Sequence, residues 1–210
     1  MKRLLFVAGA IVLILVGAGC TSATDDYYPM SVGSTWNMEG YVRMVSTLTG
    51  LDTLMTSTIQ TKVEREAQLN SGEKVREFST TTTVHQRIPD STYTQTSTSY
   101  IRETGSMILG YESLADSVPD TLLVLPLTVG KTWRINQYAT AEVVGQEDVT
   151  VKAGTYQNAW KIKTTTSAGI TIEVYSWYAK NVGHVKSHYE LSIAGYTQIF
   201  HQELVSCEIK

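Results

Sequence analysis

The chain has 210 residues, with 17 Lys and Arg against 20 Asp and Glu, a formal net charge of −3 and two cysteines. This slightly acidic balance, without a long basic stripe, argues against nucleic acid, whose binding rests on many Lys and Arg contacts to phosphate. Two cysteines exclude a disulfide-built scaffold, and the length leaves room for one or two domains.

The N-terminus runs Met1-Lys2-Arg3, then an apolar stretch from Leu4 to Val16, then Gly17-Ala18-Gly19-Cys20. A positive start, an apolar centre and small residues before a cut site make a secretory signal. The stretch is shorter than the roughly 20 residues a spanning helix needs, so residues 1–19 read as a signal peptide that is removed. Val16-Gly17-Ala18-Gly19-Cys20 resembles the bacterial lipobox, although Gly17 stands where that motif prefers a larger apolar residue. The resemblance implies cleavage before Cys20, diacylglycerol on its sulfur and a fatty acyl group such as palmitate on the freed amine. More than one chain gives stable anchoring, since burial contributes about 0.8 kcal/mol per CH₂. Thr21, rather than Asp, after the cysteine resembles the Gram-negative pattern for the outer membrane. With Cys20 acylated, Cys207 is expected to be a lone thiol, buried as a small apolar residue between Val205 and Ile209.

Residues 20–27 form a lipidated tether. An internal repeat follows: Tyr28-Pro29-Met30-Ser31-Val32-Gly33-Ser34-Thr35-Trp36 matches Leu125-Pro126-Leu127-Thr128-Val129-Gly130-Lys131-Thr132-Trp133. Pro fixes φ and Gly permits a sharp bend, so each copy turns just before a strand whose Trp packs into a core. Tyr100 and Gly105 echo the spacing of Tyr178 and Gly183. The repeat divides the mature chain into halves, 28–122 and 123–210, with 113–124 as the junction. In the first half, Ser79-Thr80-Thr81-Thr82-Thr83-Val84 and Ser91 to Tyr100 favour strands but offer little apolar surface; they read as long hairpins wet on both faces, or as a hydroxyl-rich groove. In the second half, Ile170, Ile172 and Val174 alternate with Thr171, Glu173 and Tyr175. Val185, Tyr189 and Leu191 are assigned to the face opposite His184, Lys186, His188 and Glu190. This period of two marks half-buried antiparallel strands. Turn signals separate them at Asn70-Ser71-Gly72, Ala153-Gly154, Ala168-Gly169 and Ala194-Gly195. The stretch 106–118 is open to a short helix. The expected class is therefore all-β and mostly antiparallel, as a curved sheet, half-barrel or barrel-like domain, preceded by a signal helix.

The two Pro-to-Trp motifs, together with Val149-Thr150-Val151-Lys152-Ala153-Gly154-Thr155-Tyr156 and Ser176-Trp177-Tyr178-Ala179-Lys180-Asn181-Val182-Gly183-His184-Val185-Lys186, resemble uncharacterised bacterial lipoproteins. Lys152 replaces the Pro usual in such proteins. The resemblance implies a curved antiparallel sheet, in some cases like the half-barrels of periplasmic lipoprotein carriers, and supplies no catalytic residue.

His184 and His188, four residues apart at about 3.3 Å each, stand roughly 13 Å apart on a strand, too far to share one zinc with bonds of about 2 Å. A kink, or His201 from a neighbouring strand, is the only rescue. His85 reads as a surface residue. No nucleophile elbow, phosphate loop, dinucleotide fingerprint or HExxH helix occurs. Glu64 with Glu66 and Glu147 with Asp148 read as solvated charges. No catalytic residue, metal ligand or cofactor site is expected, Cys20 being the one site residue named. The expectation is a membrane-anchored envelope lipoprotein that binds or carries an apolar ligand or an envelope partner. The alternatives are a structural lipoprotein without a small ligand, and an envelope hydrolase with a Ser/His pair or convergent acids in a cleft. A concave apolar pocket favours the first.

Overall fold

The computed structural model describes residues 26–87 and 89–210. Its strands are β1 (Thr35–Ser46), β2 (Asp52–Gln68), β3 (Lys74–Arg87), β4 (Asp90–Thr104), β5 (Met107–Tyr111), β6 (Asp120–Val124), β7 (Thr132–Arg134), β8 (Ala139–Val151), β9 (Gly154–Ala168), β10 (Ile170–Ala179), β11 (Gly183–Ile193) and β12 (Tyr196–Glu208). They form one antiparallel sheet in the order β6-β5-β4-β3-β2-β1-β12-β11-β10-β9-β8-β7. The four turn signals read from the sequence each join two neighbours of this meander, and Gly72, Gly154, Gly169 and Gly195 all take positive φ.

The expected all-β antiparallel class is what is found, with no helix among the described residues. Residues 106–118 give β5 and a bend instead of a helix, and the expected junction contains β6. Both follow from local pairing: Met107 to Tyr111 complete a hairpin with β4, and β6 pairs with β5 in turn. The signal helix expected over 1–19 and the site at Cys20 lie outside the described residues. Cys207 is half-buried against the core, as its neighbours suggest.

The sheet curls until its ends meet without full pairing. Thr121 N–H donates to the Ile135 carbonyl at 3.0 Å, and the Trp133 indole N–H donates to the Thr121 carbonyl at 3.1 Å. The barrel is thus nearly closed, with a seam between β6 and β7.

The repeat has a matching structural counterpart. Gly33 and Gly130, at φ +88° and +81°, donate to the Val63 and Val143 carbonyls at 2.8 and 2.9 Å. Val63 and Val143 donate back to Ser34 and Lys131 at 3.0 and 2.9 Å. Each valine is fully buried and is followed by a register shift, between Val63 and Arg65 and between Val143 and Gly145.

The core fills one end of the barrel, the base. Trp36, Met38, Val63, Phe78, Ile101, Ile162 and Leu204 are buried there. The Trp36 indole N–H reaches the Val182 carbonyl at 2.7 Å, and its ring stacks on Phe78 at 6.4 Å. The segment 26–31 lies at this end, with Asp26 N–H bonded to the Asn181 side chain at 2.9 Å and the Arg76 Nε donating to the Met30 carbonyl at 3.2 Å. The β8–β9 hairpin reaches β12, where Ala153 N–H donates to the Leu204 carbonyl at 3.0 Å. It does so where a register shift between Asn37 and Met38 leaves Val205 without a partner in β1.

Candidate functional site

Register fixes which side chains share a face, because residues paired across neighbouring strands project to the same side. Above the base, the concave face starts from Met38 and runs through its paired neighbours. On β1 it carries Val42 and Met44; on β2, Met55, Ser57 and Ile59; on β3, Thr80, Thr82 and Val84. On β12 it carries Gln198, Phe200 and Gln202; on β11, Ser187, Tyr189 and Leu191. On β10 it carries Ile172, Val174 and Ser176, opposite Thr166, Thr164 and Ile162 of β9. Odd positions 91–99 of β4 complete it.

No Lys, Arg, Asp or Glu stands on this face among those residues. Above the base, the charges of the same strands lie on the convex side, among them Glu39, Arg43, Asp52, Lys163, Glu173, Lys186, Glu190 and Glu203. An outer-membrane barrel has the opposite polarity, with its apolar band facing outward.

The face is open rather than filled. Val42, Met55, Val84, Leu191, Val174 and Phe200 are half-buried, and Met44 is exposed. The Tyr189 and Phe200 rings stack at 5.3 Å with 21° between their planes. At its lower end the concavity narrows to a cavity of about 160 Å³ lined by Tyr28, Pro29, Trp36, Met38, Thr61, Phe78, Gly183 and His184. That volume is below the roughly 300 Å³ at which small-molecule pockets begin, so a ligand of ordinary size needs the open face as well.

The histidines fall differently from the sequence reading. The pairing of β10 with β11 shifts register between Trp177 and Tyr178, so His184 leaves the convex face of His188. Strict alternation fails there because a bulge adds a residue. His184 Nε2 meets the Ser187 Oγ at 2.7 Å, and that Oγ lies 2.8 Å from the Ser176 Oγ. Burial holds the imidazole neutral, at about 4. Ser187 is buried and does not line the cavity. A base that weak beside an enclosed hydroxyl makes a hydrogen-bond network rather than an activated nucleophile.

His188 and His201 stay on the convex side with ring centroids 6.1 Å apart, and Tyr41 lies 5.4 Å from His201. His85 is exposed, as expected, and its Nδ1 meets Thr92 Oγ1 at 3.0 Å. No cluster able to hold a metal occurs among the described residues. The acids are tied to neighbours. Glu66 pairs with Arg76, Glu64 with Lys62 at 2.5 Å, and Glu147 accepts from the Trp177 indole at 2.7 Å. The indole and Lys161 hold the Glu147 carboxyl below its usual range against the opposing effect of burial.

Sequence reasoning expected a curved sheet with a concave apolar face, and a hydroxyl-rich groove as one reading of the Ser and Thr strands, but assigned no residues to that face. Its signal was present in Ile170, Ile172 and Val174, but the Ser and Thr strands could be assigned to it only through their register.

No curated protein matches the chain. Two solved structures resemble it, each at 15% identity. One is a candidate exported protein with a YmcC-like fold from Bacteroides fragilis, covering 86% of this chain and 97% of that one at a TM-score of 0.42. The other is a candidate lipoprotein from Parabacteroides distasonis, covering 90% and 99% at a TM-score of 0.40. The DUF3108-like family model matches residues 131–190, from the start of β7 into β11 and under a third of the chain.

Proposed function

We propose that this is an envelope lipoprotein, tethered through Cys20 to the outer membrane, whose concave face binds an uncharged apolar molecule or the apolar segment of an envelope partner. One observation carries the reading: charge is excluded from the concave face above the base, where the side chains are open to water. A buried core must exclude unpaired charge, but an open sheet face has no such need, and its convex side is densely charged. Met44 and Met55 add side chains that adapt to varied apolar shapes.

The test is binding of a fluorescent apolar probe. Phe200→Lys places an ammonium in the middle of the face and should weaken binding at least about tenfold, since an unpaired charge against apolar surface costs well over 1.4 kcal/mol. Ile199→Lys, one residue away on the convex side, should leave it unchanged. Equal effects of the two, or no probe binding, would overturn the proposal in favour of a structural lipoprotein without a ligand. The anchor has its own test in the mass of the mature N-terminus. Diacylglycerol on Cys20 is the expected result. A Cys20–Cys207 disulfide in the isolated protein would refute it, since one sulfur cannot carry both bonds.

A further inference from the structure

We propose that the lip of the sheet, built from three neighbouring hairpin tips, docks on the surface of a lipid bilayer. The tips join β1 to β2, β11 to β12 and β9 to β10, which follow one another in the sheet order. They carry Leu48 at 71% exposure, Ile170 at 52%, Tyr196 at 51%, Leu51 at 45% and Ile193 at 43%. No Lys, Arg, Asp or Glu occurs in 46–51, 165–172 or 192–197. A single exposed apolar residue needs no explanation; five on adjacent, uncharged tips do.

Two of these tips are held together. Thr47 donates to the Gly195 carbonyl from its N–H at 2.9 Å and from its hydroxyl at 3.2 Å. Leu48 lies so close over Gly195 that a Cβ there would come within 2.9 Å of it. Gly195 also has φ +83°, so the contact requires glycine twice over. Leu48 is thus displayed by a built edge rather than by a loose loop.

The chemistry fits a bilayer. Aliphatic side chains beside a tyrosine and hydroxyl-bearing residues suit the boundary between headgroups and acyl chains. Five side chains cannot supply the roughly 800 Å² per partner of a standard protein interface. Ile193, Tyr196 and Ile170 share the concave side with Leu191, Phe200 and Val174, so the lip continues the uncharged face and offers an apolar path into it. Docking goes beyond ligand binding and stands without it.

Residues 26–210 contain the twelve strands and the core, so a chain beginning at Thr21 is a suitable test object free of signal and acyl chain. In flotation with neutral phosphatidylcholine vesicles it should rise with the lipid. Leu48→Ser and Ile193→Ser should each lower partition about tenfold, with far-UV circular dichroism unchanged because both side chains are exposed. High salt and added anionic lipid should change little, because no basic residue lies in the tips. Phe200→Lys should leave flotation intact, so that this proposal and the ligand reading fail separately. Absence of flotation, dependence on anionic lipid, or full partition of Leu48→Ser would overturn the proposal. Capture of a protein through Leu48 without vesicle binding would do the same.

Discussion

Trp36 and Trp133 open their strands on the same nine-residue motif, with the same glycine turn and the same exchange of bonds with a buried valine. Their seams nevertheless differ. Trp36 begins β1, which pairs with β12 along its whole length, and its ring is buried. Trp133 begins a three-residue strand facing the short β6, and its ring is half-buried. The motif therefore sets where a half begins and how its chain enters the sheet. Whether the seam closes depends on the length of the strand that comes to meet it.

The strongest way to break this comparison is to remove the two rings. Trp36→Ala should cost roughly 3–5 kcal/mol, and Trp133→Ala no more than about half of that, both read from urea unfolding of a two-state transition. Equal costs would show that the open seam carries as much of the fold as the closed one.

The next largest effect is confined to the Trp36 side, where His184 lines the same cavity. Burial holds this ring at about 4, against 6.5 for a free histidine. The unfolded chain takes up the proton as pH falls through 6.5, while the folded one resists until about 4. Stability is therefore greatest above pH 6.5 and is lost between 6.5 and 4, by at most about 3 kcal/mol. His201, also lowered chiefly by burial, acts with the same sign. His184→Gln should flatten much of the slope in melting temperature across that window, and a wild-type profile without slope would contradict the buried neutral ring.

Sharper tests follow from positions where the halves agree. Val63→Ala and Val143→Ala should each cost roughly 2 kcal/mol, since both side chains are fully buried. Gly33→Ala and Gly130→Ala should each cost about 1 kcal/mol from backbone strain alone. An added Cβ meets only the Lys210 side chain at 3.5 Å in the first and nothing within 4 Å in the second. A clear inequality within either pair, measured by the same unfolding experiment, would show that the glycine turns leading into β1 and β7 are not equivalent.

Much of the architecture was legible in the sequence because it depends on local chemistry. Gly72, Gly154, Gly169 and Gly195 mark turns that only a small residue makes easily, and the alternation from Ile170 to Tyr175 needs no tertiary information. Bulges were not legible. The one beside Val185 turned His184 inward, and nothing in the residue order distinguishes an added residue from a regular one. The return of Ala153 to Leu204 was equally hidden, because it joins residues far apart in sequence through backbone atoms alone. The concave face lay between these cases: its apolar strands were readable one by one, while its lack of charge emerged only when register set the hydroxyl-rich strands beside them.

The free margin of β4 has a practical consequence. Among the described residues, 90–99 pair with β3 on one side, while β5 takes up only Tyr100 to Thr104 on the other. Asp90 is the one charged side chain in this run, which lacks the lysines and prolines that usually blunt such margins. Concentrated preparations should therefore associate slowly through it, and a lysine pair introduced at Thr94 and Thr96, on the convex side, is the first remedy for crystallisation or storage.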